Sequence, residues 1–331
     1  MSIEATAPGK LILFGEHSVV YKGSAIVLAI DKRAKVIASK RDDKKVYIDA
    51  DDLGFSGYFE NDNYYPINGK NWRGRNLSAL NVAAIKVMEF LGIKAGVNLF
   101  VRSMIPIAVG LGSSAAVCVA TTAAVGELFE GRLSKDDIVK LSYEGEKVIH
   151  GTPSGVDNNV ATFGGIIKYE RGVRFERLKL DMSLPFVIGN TKKKRSTKTQ
   201  VDNVRILKDR YPRIIDPIID TMSLISEMGL DALFQRNLPQ LGDLMNINHG
   251  LLTTLGVSTF ELNKLVHTAL YEGALGAKLT GAGGGGCIIA LAETKNLSNI
   301  EKAIRLLHYQ PIRVNLTDEG VLTRRIDAGN S

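Results

Sequence analysis

The chain has 331 residues, 45% hydrophobic and 23% charged, a balance that excludes long disorder and leaves room for two domains. A net charge of +7 favours anionic small ligands such as nucleotides and carboxylates. The one dense basic run, Lys192 to Arg195, comes without zinc-finger spacing or an RNA-binding aromatic motif, so no nucleic-acid partner is expected.

Cys118 and Cys287 sit among small and apolar residues and read as buried free thiols in a reducing compartment. The N-terminus has no signal-peptide pattern and no apolar run reaches membrane-spanning length, so a cytoplasmic protein with no membrane partner is expected.

In chain order, short apolar runs bounded by turn residues predict strands over Lys10–Phe14, Ala25–Ile30, Ala34–Ala38 and Lys45–Asp49. Leu80, Ala84, Val87 and Leu91 repeat at helical spacing, with Asn76 as a candidate cap and Gly92 as a stop. A strand over Val97–Ser103 leads through a Gly/Ser-rich loop into a buried helix over Val117–Phe129. Ser134 caps a further helix, which ends near Gly151. Phe163–Tyr169 and Pro185–Asn190 read as strands, and a domain boundary is expected near 175–185. Beyond it, helical periodicity covers Arg213–Met228, Leu230–Leu255 (broken at Pro239) and Thr259–Tyr271. Strand Cys287–Leu291, helix Leu297–Leu307 and strand Ile312–Asn315 follow. Helices and strands in both halves make the class α+β, with domains over 1–180 and 181–331.

Three clusters carry chemistry. In the loop Gly110-Leu111-Gly112-Ser113-Ser114-Ala115-Ala116, glycines allow close backbone approach and a helix N-terminus presents N–H groups to an anion. It lacks the Gly-Lys-Ser/Thr of a Walker loop and reads either as a phosphate site or as a helix cap. In the second cluster, Glu146 precedes a Pro153–Gly155 turn from which Asp157 emerges. The two carboxylates read as a metal ligand and a group beside an attacking hydroxyl, or else as a solvated helix carboxylate and a turn cap. In the third, five of the six residues from Gly281 to Gly286 are glycine. Such a run is costly to order and suits a backbone lying against a ligand or another loop.

The three clusters, in this order from residue 7 to residue 287, resemble the GHMP kinases, whose acceptors include galactose, homoserine, mevalonate and phosphomevalonate. The opening segment Ala7–Tyr21, the segment Ile149–Asn158, Lys194-Arg195-Ser196-Thr197 and Lys278–Cys287 are most similar to the branch that acts on mevalonate. Galactose-acting members carry an Asp where this chain has Val19.

The resemblance implies an N-terminal domain like the second domain of ribosomal protein S5 and a ferredoxin-like C-terminal domain. It implies ATP as co-substrate, Mg²⁺ as cofactor and mevalonate as acceptor. Carried over by position, Asp157 matches the catalytic base and Lys10 the lysine beside it. Ser114 and Glu146 match the Mg²⁺ ligands. Ser103 and the loop Pro106-Ile107-Ala108-Val109-Gly110 through Ala116 match the nucleotide contacts, and Gly281, Gly283 and Gly284 the third motif. Glu16, His17, Arg195 and Thr197 match the acceptor side. Many members pair, which makes a homodimer the expected assembly. Two departures stand out: Ala108 replaces a usual glycine, and Lys22 is an extra residue between Tyr21 and Gly23.

Overall fold

The computed structural model describes residues 1–21, 23–50, 54–60, 63–68, 74–106, 110–170, 175–180, 182–193 and 196–326. In chain order, the first half carries β1 (Ser2–Phe14), a 3-10 turn over Ser18–Val20, β2 (Ser24–Arg41), β3 (Val46–Ala50), β4 (Phe55–Glu60) and β5 (Asn63–Asn68). Then come α1 (Gly74–Phe90), β6 (Gly96–Ser103), α2 (Ser113–Leu128), α3 (Lys135–His150), α4 (Val156–Phe163), β7 (Ile166–Glu170) and β8 (Glu176–Leu178). The second half carries β9 (Pro185–Asn190), α5 (Thr197–Arg210), α6 (Pro212–Phe234), α7 (Leu238–Thr254), α8 (Phe260–Tyr271), β10 (Gly276–Thr280) and β11 (Cys287–Leu291). It closes with α9 (Thr294–Leu306), β12 (Gln310–Asn315) and β13 (Leu322–Ile326).

Among the described residues the first sheet runs β13-β1-β2-β6-β3-β4-β5, with β7 joining β2 and β8 joining β7. Its pairs are antiparallel except β3 on β6. The second sheet runs β10-β11-β9-β12, antiparallel throughout. Mixed helices and two sheets confirm the α+β class.

The expected strands Ala25–Ile30 and Ala34–Ala38 are one strand, β2. Its N-terminal part is buried on both faces and pairs β7, while its C-terminal part alternates and pairs β6. Ala34, Val36 and Ala38 point into the core, the period-two pattern of a sheet covered on one side. The cover is α2, which packs on both β1 and β2. It is buried on most of its circumference because α1, α3 and α4 also surround it, so its sequence shows no polar stripe.

Several boundaries differ from the sequence expectation. Asn76 falls inside α1 rather than capping it. Phe163 ends α4, and the following strand begins at Ile166. Helix α5 had no counterpart in the sequence reading: only Val204 of it is buried, leaving no apolar stripe to detect. Strand β13 returns to pair β1, so the chain's last described strand lies in the first sheet. Ser134 does cap α3, reciprocally with Asp137. Both cysteines are free and buried.

Candidate active site

The two sheets meet where β1 runs beside β10, and a cleft of about 520 Å³ opens there. Its apolar lining includes Leu77, Ala79 and Leu80 of α1, Val101 of β6, and Val117 and Cys118 of α2. Its polar lining includes Lys10, Ser113, Ser114, His150, Asp157 and Thr197, and Gly281 and Ala282 also line it.

The Gly/Ser loop lines the cleft and is clamped onto β1. The Lys10 N–H donates to the Leu111 carbonyl at 2.9 Å, just after the register shift at Pro8/Gly9. Gly112 caps α2 in the left-handed region at φ 73° and supplies no side-chain acceptor. A Cβ there would lie 2.8 Å from Lys10 Cγ. The first-turn N–H groups of α2 therefore open toward the cleft beside Ser113 and Ser114, an arrangement suited to an anion. Ser103, at the end of β6, stands 3.4 Å from Ser113, hydroxyl to hydroxyl. Pro106, Gly110, Leu111 and Gly112 also line the cleft. Ala115 and Ala116 lie behind the loop, fully buried. Ile107, Ala108 and Val109 lie outside the described residues.

Asp157 was expected to emerge from a turn; it is instead in the first turn of α4, behind Gly155, the left-handed cap at φ 78°. That position aims its carboxylate at β1, where Lys10 Nζ lies 3.1 Å away. Lys10 is largely buried and Asp157 about one-third exposed, and both line the cleft.

Glu146, on the buried side of α3, faces the same place. Its Oε2 is 3.7 Å from His150 Nε2, one turn along the helix, and His150 Nε2 is 3.4 Å from Ser114 Oγ. Glu146 Oε1 is buried with no hydrogen-bond partner. Burial pushes its carboxyl above the usual range, as does the charge of Asp157, while the Ser114 hydroxyl, His150 and Lys10 act the other way. A buried carboxylate oxygen without a partner is costly. A hard cation shared with the Ser114 hydroxyl would satisfy it, so these residues fit a divalent metal.

The acceptor-side candidates separate. Thr197 is the first residue of α5, behind the Ser196 cap, and lines the cleft. His17 holds φ 63°, and its Nε2–H donates to the Ala282 carbonyl at 2.9 Å. Glu16 is not part of the lining. It is fully buried in an ion pair with Lys278, and Asn248 Nδ2 donates to it at 3.4 Å. Burial raises the Glu16 carboxyl and lowers the Lys278 ammonium, each held back by the other's charge. Arg195 lies outside the described residues.

The glycines of the third cluster divide in the same way. Gly281 lines the cleft. Gly283 and Gly284 pack instead against protein: their added Cβ atoms would lie 2.2 Å from the Val257 carbonyl and 2.4 Å from Gln200 Nε2. The sequence reading missed Lys278 and His249 as buried polar groups. His249 Nδ1 accepts the Leu279 N–H at 3.3 Å, which puts its proton on Nε2, facing Asn263 Oδ1 at 3.1 Å. Lys278 opens a motif segment, but nothing in the sequence shows that it or His249 is buried and paired, because their partners lie far away along the chain.

Residues 79–165 match the family model described as GHMP kinases N terminal domain, and residues 230–310 the one described as GHMP kinases C terminal. The chain is 42% identical to a mevalonate kinase of Pyrococcus furiosus, over 97% of this chain and 98% of that one. The chain belongs to the mevalonate kinase family of GHMP kinases. A mevalonate kinase of Thermococcus sibiricus is 41% identical over the same shares. Among solved structures, L. major mevalonate kinase in complex with R-mevalonate superposes with a TM-score of 0.81 at 28% identity, covering 95% of this chain and 96% of that one. Methanococcus jannaschii mevalonate kinase gives 0.80 at 28% identity, covering 96% and 98%. These likenesses span both sheets, so the cleft lies in the part of the fold that the family shares.

Proposed function

We propose that the protein transfers the γ-phosphoryl group of ATP to the primary 5-hydroxyl of mevalonate, giving 5-phosphomevalonate and ADP. The observation that carries the reading is the Lys10–Asp157 pair at 3.1 Å, placed beside an uncapped helix N-terminus in a chain of this family. The apolar side chains that line the cleft suit the adenine ring. The first-turn N–H groups of α2, with Ser113 and Ser103, hold the phosphates and take up the charge that develops on departing ADP.

The acceptor hydroxyl lies between Asp157 and the γ-phosphate. Asp157 Oδ1 accepts its proton as transfer proceeds, a task a positioned carboxylate also performs in protein kinases. The Lys10 ammonium stabilises the developing alkoxide. Glu146 and Ser114 would hold Mg²⁺, which when bound neutralises charge on the β- and γ-phosphates. Thr197 and the His17-bonded Ala282 backbone border the acceptor, and Arg195 is the proposed partner of its carboxylate. Among the described residues no helix is long and apolar enough to cross a membrane, and we take the enzyme to act in the cytoplasm, as a homodimer.

The test is ADP release with Mg²⁺-ATP and, in turn, mevalonate, phosphomevalonate, galactose and homoserine. Turnover with mevalonate alone is expected. Turnover with a different acceptor overturns the substrate, and ATP binding without any turnover overturns the enzyme reading in favour of a metabolite sensor.

A further inference from the structure

The fully buried Glu16–Lys278 ion pair takes no part in the reaction just described. Its partners come from the two sides of the joint: Glu16 follows β1, and Lys278 lies on β10. Lys278 and Thr280 are two residues apart on that strand, so their side chains share the face turned toward β1. Thr280 Oγ1 donates to the Ile12 carbonyl at 2.8 Å. Lys278 Nζ donates to Glu16 and to the Leu279 carbonyl at 2.8 Å. Beyond the end of β10, Ala282 accepts from His17.

These three links cross the joint in succession and end at the Gly281–Ala282 wall of the cleft. A well-packed apolar pair generally stabilises such a buried place at least as well as an ion pair, whereas a directional polar pair selects one register of the two surfaces. His17 also keeps a left-handed backbone uncommon for a non-glycine residue. It stands directly after Glu16, where the ion pair anchors the chain.

We infer that Lys278 is a positioning residue, whose buried pair with Glu16 holds the Gly281–Ala282 wall at a fixed distance from the strand that carries Lys10. The inference rests on the kinase reading above for its kinetic readout. It has a second readout that does not depend on turnover: amide hydrogen exchange at Gly281 and Ala282.

The experiment compares Lys278→Met, Glu16→Gln and the double variant with the wild type. Lys278→Met leaves the Glu16 carboxylate buried without its cation, so its Tm falls. The double variant removes both charges, and its Tm recovers most of the loss. With positioning lost, kcat/KM for mevalonate stays at least tenfold below wild type in the double variant. Exchange at Gly281 and Ala282 stays at least tenfold faster, while KM for ATP remains within threefold. Recovery of kcat/KM and of exchange protection together with Tm assigns the pair to stability alone and overturns the inference. If neither Lys278 variant folds, Glu16→Gln, which keeps the side-chain volume but removes the charge that makes the ion pair with Lys278, decides by the same two readouts: wild-type values overturn the inference. A wild type that does not turn over mevalonate overturns the kinase reading, and hydrogen exchange still decides the role of Lys278.

Discussion

The Lys10 ammonium lies 3.1 Å from the Asp157 carboxylate, joining the middle of β1 to the first turn of α4. Replacing Asp157 with Asn keeps the shape of the turn and removes both the proposed proton acceptor and the charge opposite Lys10. We expect kcat to fall by about 10²- to 10⁴-fold, the usual contribution of a positioned general base. Because Asp157 is part-exposed, Tm should change little, and KM for ATP should stay within a few-fold. Steady-state kinetics check this; turnover near the wild-type level rules out Asp157 as the proton acceptor.

Much of this site is legible in the sequence because it is built from local patterns. The glycines around Ser113 and Ser114 announce a strand-to-helix turn, and Pro153 and Gly155 announce the turn before Asp157, though not the helix α4 that Gly155 caps. Their meeting at one cleft comes from the β1–β2 register and from α2 lying across both strands, which no local pattern encodes. Glu16 shows the limit in the other direction. Its place in a motif suggested contact with the acceptor, but its partner Lys278 sits on the second sheet, and only the assembled fold brings the two together. Helix α5 escaped for a simpler reason: a helix that buries one side chain has no periodicity to read.

Gly112 lies against the Lys10 side chain where the Gly/Ser loop meets β1. Gly112→Ala would require a methyl group 2.8 Å from Lys10 Cγ on a backbone at φ 73°. The left-handed conformation alone costs about 1–3 kcal/mol for a non-glycine residue, and the clash pushes Lys10 away from Asp157. We expect a lower Tm together with a loss of kcat larger than the rise in KM for ATP. Thermal melts paired with kinetics test it, and a crystal structure of the variant with Lys10 unmoved would contradict the explanation.

Glu146 should show opposite effects on stability and on activity. Its Oε1 is buried without a partner, and burial raises its carboxyl above the usual range, so ionisation opposes folding in the metal-free protein. Glu146→Gln removes that charge at constant volume. In EDTA the variant should melt no lower than the wild type, and about 1 kcal/mol more stable is the scale expected for relieving an unsatisfied buried group. In a Mg²⁺ titration of activity it should need at least tenfold more metal. A variant that is destabilised in EDTA yet keeps a normal Mg²⁺ requirement would return Glu146 to a structural role.

His249 makes the fold sensitive to acid. Burial first, and the charge of Lys278 second, pull its pKa down to about 4 from an ordinary 6.5. The folded protein keeps the ring neutral because Nδ1 must accept from the Leu279 N–H. Between these two values the unfolded chain binds a proton that the folded chain does not, so stability rises with pH across the window and is lost as pH falls from 6.5 toward 4. The full loss from this residue is about 3 kcal/mol at 1.36 kcal/mol per pKa unit. Replacing His249 with Gln, which offers an acceptor and a donor but no titration, should lower stability modestly at pH 7.5 and flatten its decline below pH 6.5. Urea melts at half-unit pH steps measure both slopes. Equal slopes for variant and wild type would place the acid sensitivity elsewhere, in carboxylates such as Glu4 or Glu227, whose ion pairs hold them below the usual range.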